Sequence, residues 1–112
     1  MEQISWTDFI KVDMRVGTVI AAEPFPQARK PAYKLTIDFG ADIGIKRTSA
    51  QITTLYQPDM LLGRQVIAVV NFPPKQIGPF MSECLVMGSV ATDGTVTLLT
   101  TTQPAENGLR IG

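Results

Sequence analysis

Two segments carry most of the polar and aromatic side chains that could hold a ligand. Residues 49–53 read Ser-Ala-Gln-Ile-Thr, and residues 69–83 read Val-Val-Asn-Phe-Pro-Pro-Lys-Gln-Ile-Gly-Pro-Phe-Met-Ser-Glu. They supply hydroxyls, amides, aromatic rings and one lysine. Histidine is absent from the chain, and no acidic residue near these segments has a second acid close enough in sequence to pair for catalysis. This inventory predicts a site that binds a ligand without transforming it.

Catalytic and metal chemistry find little support in the sequence. Without histidine there is no Ser-His pair and no imidazole ligand, and the single cysteine, Cys84, cannot form a Cys-rich zinc site. Gly40 and Gly44 frame a turn, but no Gly-Lys-Ser/Thr follows them, so a phosphate-cradling P-loop is absent. We therefore predict no enzymatic activity, no cofactor and no metal. Cys84 lies in an apolar run, which favours a buried, inert thiol over a reactive one.

Composition predicts one domain, residues 1–112, with no general affinity for polyanions. Ten basic and ten acidic residues give a formal net charge of zero, unlike the basic field of strong nucleic-acid binders. Hydrophobic residues make up 45% of the chain, and we expect some of this apolar surface to meet a second copy. The amino terminus lacks a basic region followed by an apolar stretch, and no apolar run reaches the roughly 20 residues of a membrane span. The sequence thus predicts a cytoplasmic protein without membrane insertion.

The pattern of elements predicts an all-β fold with two short helices. Ser5 and Asp8 are placed to cap a helix within residues 1–11. Alternating apolar residues then predict strands over 12–20, 33–39 and 45–50, and residues 52–62 predict a helical turn that ends at Gly63.

The second half of the chain predicts the remaining strands. Residues 66–70 are apolar without alternation, so both faces of that strand should be covered. A Pro-rich loop separates this strand from another over 83–90, and 92–94 form a hairpin turn into 95–99. Five to six strands, with a short N-terminal helix and a short helix between strands 3 and 4, predict an OB-fold Greek-key barrel.

Positive charge is concentrated in the middle of the chain. Between residues 25 and 81 seven basic residues outnumber three acidic ones, a local excess of four; they are Arg29, Lys30, Lys34, Lys46, Arg47, Arg64 and Lys75 against Asp38, Asp42 and Asp59. Tyr33, Phe72 and Phe80 are interleaved with them. Such a face can attract phosphates and stack bases. Alternatively, the basic residues are simply solvated, and Phe72 and Phe80 plug the space beneath the loop.

Four segments resemble the tRNA-binding domain family. They are residues 12–19 (VDMRVGTV), 28–35 (ARKPAYKL), 37–40 (IDFG) and 69–88, and the resemblance extends over about 9–112. It implies an OB-fold homodimer. In that family the first helix and the residues after the last strand contribute to the dimer contact, which implies an interface that includes Trp6, Phe9, Ile10, Leu109 and Ile111, with residues 103–112 as a C-terminal extension.

The resemblance implies two functions. Some family members accompany aminoacyl-tRNA synthetases and bind tRNA without strong sequence preference, whereas another branch is described as an export-related chaperone that binds preproteins and the secretion ATPase. This chain keeps Lys75 where the tRNA-binding pattern has Lys-Met-Arg-Gly, but continues Gln-Ile-Gly-Pro-Phe over 76–80 and loses an arginine. Ser82 matches the pattern, while Leu85 replaces a usual methionine. These changes favour peptide binding over RNA.

The sequence therefore predicts a non-enzymatic chaperone for protein export that binds preproteins or unfolded peptide segments, with structure-dependent tRNA binding as the alternative. The predicted site draws positive potential, hydrogen bonds and apolar contact from nine residues: Lys46, Arg47, Ser49, Gln51, Asn71, Phe72, Lys75, Phe80 and Ser82. Three of them have simpler interpretations. Asn71 can satisfy the loop backbone, Gln51 can begin the helical turn, and Ser49 can be an ordinary strand residue.

Overall fold

Nine short strands and two short helices make up the computed structural model, which describes all 112 residues. The elements are α1 (Trp6–Ile10), β1 (Met14–Pro24), β2 (Tyr33–Asp38), β3 (Ile45–Ala50), α2 (Pro58–Leu61), β4 (Gln65–Val69), β5 (Lys75–Ile77), β6 (Phe80–Ser82), β7 (Leu85–Val86), β8 (Gly88–Val90) and β9 (Val96–Leu98). Neither helix has the length or the hydropathy to cross a bilayer.

Five strands form an antiparallel sheet in the order β3-β2-β1-β4-β7, and two separate hairpins, β5–β6 and β8–β9, complete the architecture. The sheet coils until β3 approaches β6 and β7, which nearly closes a barrel. Helix α2 lies between β3 and β4 in the chain, where the sequence predicts it. The predicted OB-fold is confirmed.

Strand β4 and the first half of β1 are largely buried on both faces. Facing the barrel interior, Val19 and Val66 join the main core with Leu35, Ile37 and Phe39. On the outer face a second cluster is formed by Met14, Val16, Ile67 and Val69. This arrangement explains why β4 lacks polar alternation. Gly17 is required between the two layers, since a Cβ there would lie 2.6 Å from Ile37 Cγ2 and 2.7 Å from the Phe39 ring.

The alternation predicted for residues 12–20 does not continue to its end. A β-bulge shifts the pairing of β1 with β2 between Val19 and Ala21. Val19, before the bulge, and Ala22, after it, both pack in or against the main core, whereas Ile20 is exposed. The extra residue reverses the side-chain alternation beyond Val19, which a period of two along the sequence cannot anticipate.

The strand predicted over residues 83–90 is divided into β7 and β8. Ala68 and Val69 of β4 pair with β7, and the Met87 N–H donates to the Ile67 carbonyl over 2.8 Å. The Met87 carbonyl then accepts from the Leu99 N–H, and β8 pairs with β9 instead. The chain changes partners at Met87, so one continuous strand becomes two.

The Pro-rich loop contains a hairpin that the sequence does not predict. Strands β5 and β6 pair across Gly78 and Pro79, with Ile77 opposite Phe80, and Gly78 adopts a positive φ of 55°. Phe80 packs edge-on against Phe25, with ring centroids 5.3 Å apart. The hairpin is thereby fastened to the loop between β1 and β2.

Both chain termini pack on the outer face of β1. The predicted capping box is present, because the Asp8 N–H donates to Ser5 Oγ over 3.0 Å and the Ser5 N–H donates to Asp8 Oδ2 over 3.2 Å. The C-terminal segment runs beside β1, where the Val16 N–H donates to the Leu109 carbonyl and the Ile111 N–H donates to the Met14 carbonyl. Phe9 and Ile111 partly cover the outer cluster.

The predicted dimer residues therefore differ in exposure. Trp6, Ile10 and Leu109 are exposed, whereas Phe9 and Ile111 are half-buried against their own chain.

A hydrogen bond from Arg15 holds the pKa of the nearby Asp13 carboxyl below its usual value. The Arg15 guanidinium also donates to the Gly108 carbonyl, which ties the C-terminal segment to β1.

The barrel closes between β3 and residues 82–84 through side chains. Thr48 is completely buried, and its hydroxyl donates to the Cys84 carbonyl over 2.7 Å and lies 3.1 Å from Ser82 Oγ. Ser82 Oγ also accepts from the Ser49 N–H. Glu83 completes the closure, since its N–H donates to the Arg47 carbonyl over 2.7 Å and its carboxylate accepts from the Arg47 N–H over 2.9 Å. We call this set of contacts the closure seam.

Thr48→Val should lower the free energy of unfolding by about 1 to 3 kcal/mol, because a buried carbonyl loses its hydroxyl donor while side-chain volume is kept. Urea unfolding measures this. Thr36→Val is the matched control, since Thr36 lies half-buried on the neighbouring strand without a side-chain hydrogen bond, and it should change stability by less than about 0.5 kcal/mol. Equal losses in the two variants would show that the seam hydroxyl is not important.

Cys84 should react slowly with iodoacetamide in the folded protein. Burial raises the pKa of this thiol to about 11. At pH 8 the thiolate fraction is then on the order of a thousandth, against roughly a quarter for an unperturbed thiol. Labelling followed by mass spectrometry should give a native rate at least about a hundredfold below the rate in urea. Similar rates in both states would contradict the buried, inert assignment.

Candidate functional site

A groove of about 690 Å³ opens beside the closure seam. Its walls come from the end of β3 and the residues that follow it, the hairpin β5–β6, strands β7 and β8, and the start of β9. Ten of its sixteen lining residues are hydrophobic; the lining consists of Ser49, Ala50, Gln51, Ile52, Phe72, Pro73, Lys75, Ile77, Ser82, Cys84, Leu85, Val86, Met87, Gly88, Val90 and Val96.

Five of the nine predicted site residues line this groove: Ser49, Gln51, Phe72, Lys75 and Ser82. Lys75 is the only charged residue of the lining, and it lies directly opposite Ser82 in the β5–β6 hairpin. Ser82 also belongs to the closure seam, so its hydroxyl is already engaged by β3. The two segments that the sequence singles out do meet in space.

The polar groups of the groove retain unused hydrogen-bonding capacity. The side chains of Ser49 and Gln51 make no hydrogen bond within the chain, and Lys75 makes no ion pair. Gln51 and Lys75 are exposed. A backbone or side chain of a bound ligand would find three polar partners around an otherwise apolar surface.

Phe72 and Phe80 have opposite roles in the structure. Phe72 is 55% exposed and lines the groove, so its ring is available to a ligand. Phe80 is only 5% exposed and packs with Phe25 and Ala32 in a small core beneath the loops. The interpretation of Phe80 as a ligand contact is therefore corrected: it is the hydrophobic plug that the alternative describes.

Asn71 lies outside the groove and fastens the backbone. Its side-chain oxygen accepts from the Asp13 N–H over 3.1 Å, and its side-chain nitrogen donates to the Lys11 carbonyl over 2.7 Å. These bonds hold the turn after β4 against the segment between α1 and β1. The simpler interpretation of Asn71, in which it satisfies backbone groups, describes this geometry.

Lys46 and Arg47 also lie outside the groove. Adjacent residues on a strand point to opposite faces, so the two side chains cannot act together. Lys46 is half-buried, whereas Arg47 lies over the Phe80 ring at 4.7 Å from its centroid. The Arg47 guanidinium is 3.7 Å from Glu23 Oε1. Arg47 is thus partly neutralised within the chain.

The sequence does not predict the apolar wall of the groove that residues of β7, β8 and β9 form with Met87. Leu85, Val86, Met87, Val90 and Val96 line it, and Leu85 and Val90 are 51% and 72% exposed. In the sequence these residues look like an ordinary core strand. Val86, Met87 and Val96 are half-buried against the core clusters, and β7, which carries Leu85, is an edge strand of the sheet. No group of three or more His, Cys, Asp or Glu side chains is arranged to hold a metal ion.

Comparisons with known proteins agree with this fold. Residues 14–110 match the family described as "Putative tRNA binding domain". The crystal structure of chaperone CsaA from Bacillus anthracis superposes with a TM-score of 0.94. Its sequence is 48% identical, and the match covers 99% of this chain and 100% of that one. The CsaA chaperone protein from Picrophilus torridus is 50% identical, with a TM-score of 0.90, over 98% of this chain and 100% of that one.

A methionine–tRNA ligase from Sorangium cellulosum is 40% identical over 105 residues, which are 93% of this chain and 14% of the ligase. The chain spans only about a seventh of the length of such curated relatives. The likeness to the ligases therefore concerns one small part of each of them. With the family match over most of its length and close agreement with two CsaA structures, the chain belongs to the tRNA-binding domain family.

Proposed function

We propose that this protein is a non-enzymatic chaperone that binds extended, apolar segments of unfolded proteins in the groove. The observation that carries the proposal is the concentration of exposed apolar side chains, Phe72, Leu85 and Val90, around one groove of a rigid barrel. Contiguous apolar surface on a soluble domain is typical of an interaction site. Burying it stabilises a complex by about 25 cal/mol per Å², before the cost of association.

The polar groups of the groove suit a peptide. An extended peptide offers a backbone N–H or carbonyl at every residue, and Ser49 and Gln51 can donate to or accept from it. Lys75 adds a single positive charge, which favours a carboxylate without demanding one. This combination recognises the backbone and general apolarity instead of one side-chain sequence, as a chaperone with several clients requires.

Similarity to the CsaA chaperones supports the same proposal. We further propose, as the sequence resemblance implies, that the clients are preproteins awaiting export, that the secretion ATPase is a further partner, and that the protein acts in the cytoplasm. The groove needs no catalytic group for this role, because holding an unfolded segment is an equilibrium process.

Binding of tRNA is the second candidate function. The family match and the similarity to methionine–tRNA ligases favour it. Lys34 and Arg47 also lie on the outer face of β2 and β3, the face that OB-folds use for oligonucleotides. This surface adjoins the groove at Ser49, but neither Lys34 nor Arg47 belongs to the groove lining.

Phe72→Ala should weaken binding of a fluorescently labelled apolar signal segment by about five- to thirtyfold, the equivalent of about 1 to 2 kcal/mol of lost apolar contact. Lys75→Ala should have a smaller effect at physiological salt, and the wild-type affinity should change little between low and moderate salt. Fluorescence anisotropy measures both. Leu99→Ala is the control, because Leu99 is an exposed apolar residue outside the groove.

The contrary result is equally clear. If the segment never binds measurably, while Arg47→Ala weakens binding of tRNA, tRNA binding replaces the chaperone role. The salt dependence gives a second discriminator, since log affinity for single-stranded RNA falls by about 0.7 per neutralised phosphate for each tenfold rise in salt.

We also propose that the protein is a homodimer joined through α1 and the C-terminal segment. Trp6, Ile10 and Leu109 are exposed, and the Arg110 side chain donates to the Ile10 carbonyl, which places the C-terminal segment beside α1. The rings of Trp6 and Phe9 are tilted by 41°, with centroids 5.3 Å apart. An exposed tryptophan beside a partly covered apolar cluster is typical of an interface. The half-buried side chains of Phe9 and Ile111 would add apolar area to this contact.

Trp6→Ala combined with Ile10→Ala should yield a monomer whose circular dichroism spectrum matches that of wild type, because both side chains are exposed in the single chain. Sedimentation velocity at micromolar concentration gives the oligomeric state. Leu62→Ala, an exposed leucine after α2, serves as the control and should stay dimeric. A monomeric wild type would end the dimer proposal.

A further inference from the structure

One acidic residue faces two cations on the outer surface of the barrel. Glu23 lies directly opposite Lys34 in the pairing of β1 with β2, and Lys34 lies directly opposite Ser49 in the pairing of β2 with β3. Arg47 precedes Ser49 by two residues, so its side chain emerges on the same face. Glu23 Oε1 is 3.6 Å from Lys34 Nζ and 3.7 Å from the Arg47 guanidinium.

The two cations rest on a fixed aromatic floor. Lys34 Nζ lies 5.6 Å from the centroid of the Phe25 ring and 5.9 Å from that of Phe80, and Arg47 lies 4.7 Å from that of Phe80. Both rings are buried, so their positions are fixed by packing before any ligand binds at the surface. Cation–π attraction holds the positive groups side by side in the absence of a ligand.

Glu23 is a poor match for this pair of charges. Its distances to both cations exceed the 2.7 to 2.9 Å of a close charge-assisted hydrogen bond, and its side chain is 56% exposed. One carboxylate also leaves a net positive charge on the cluster. A phosphate diester carries the same single negative charge as a carboxylate, and its two free oxygens are farther apart. It can therefore reach both cations and displace a weakly held carboxylate.

The surroundings favour a nucleic-acid backbone. The cluster is on the β2–β3 face, which carries oligonucleotides in OB-folds, and it is bounded by the loop between β1 and β2 with Arg29 and Lys30. An RNA strand that crosses this face would meet Lys34 and Arg47.

We infer that Lys34 and Arg47 form a phosphate-binding site for an RNA strand, and that Glu23 occupies it in the free protein as an internal competitor. Glu23 is thus a specificity-determining residue, because it weakens the attraction of RNA to this face and leaves the groove unaffected. The inference deepens the second candidate function and rests on it, while peptide binding in the groove stands or falls separately.

Removing the carboxylate tests the inference. Glu23→Gln should raise the affinity for a short, fluorescently labelled single-stranded oligouridylate by about three- to tenfold at low salt. It should also steepen the plot of log affinity against log salt by about 0.7 for each phosphate newly neutralised. Glu23→Gln combined with Arg47→Gln should lose both gains.

Glu106→Gln is the matched control. It makes the same change of charge and shape, but Glu106 forms no ion pair and lies in the C-terminal segment beside the opposite end of β1. It should change RNA affinity by less than about twofold. Circular dichroism and the binding of the apolar signal segment should be the same in all variants if each remains folded.

The possible outcomes distinguish a failure of the Glu23 inference from a failure of RNA binding or of peptide binding. If Glu23→Gln and Glu106→Gln change affinity alike, or if wild type and Glu23→Gln bind the oligouridylate equally, the inference is wrong although RNA binding stands. If neither binds, both the inference and the RNA function are wrong. A gain for Glu23→Gln alone supports the inference, whatever the result for the peptide.

Discussion

The hydroxyl of Thr48 is the contact on which the arrangement of this surface depends. It joins β3 to the Cys84 carbonyl where no regular ladder of backbone hydrogen bonds closes the barrel. Because Ser82 and Glu83 complete the same seam, the hairpin β5–β6 is held at a fixed distance from β3. The groove is the space left beside this closure. Barrel closure and ligand access are therefore set by the same few hydrogen bonds.

Two surfaces of different chemistry adjoin at β3. The groove takes Ser49, Ala50 and the residues after them, together with the apolar wall from β7 to β9. The outer face takes Arg47, supported by the rings of Phe25 and Phe80. One surface is suited to apolar, uncharged segments and the other to anions. Lys75 is the one charge in the groove, whereas the outer face gathers Lys34, Arg47 and Glu23.

Much of the fold could be predicted from the sequence because its signals are local. The capping residues Ser5 and Asp8, the apolar run of β4 and the helix that ends before Gly63 all depend on neighbours in the chain. The site was predicted less completely. The burial of Phe80 depends on its packing against Phe25, and the division of residues 83–90 into two strands depends on a change of strand partner at Met87. Such long-range contacts leave no periodic signal.

The C-terminal segment also protects the backbone of β1. Residues 14–16 of β1 pair with β4 along one edge, while β2 pairs only with the strand beyond Gly17, so the other edge near Met14 is covered by residues 108–111. A chain shortened before Gly108 would present free N–H and carbonyl groups beside the apolar outer cluster. An open edge of that kind is a template for pairing with other chains. Residues 108–111 therefore protect the edge of β1 from pairing with other chains.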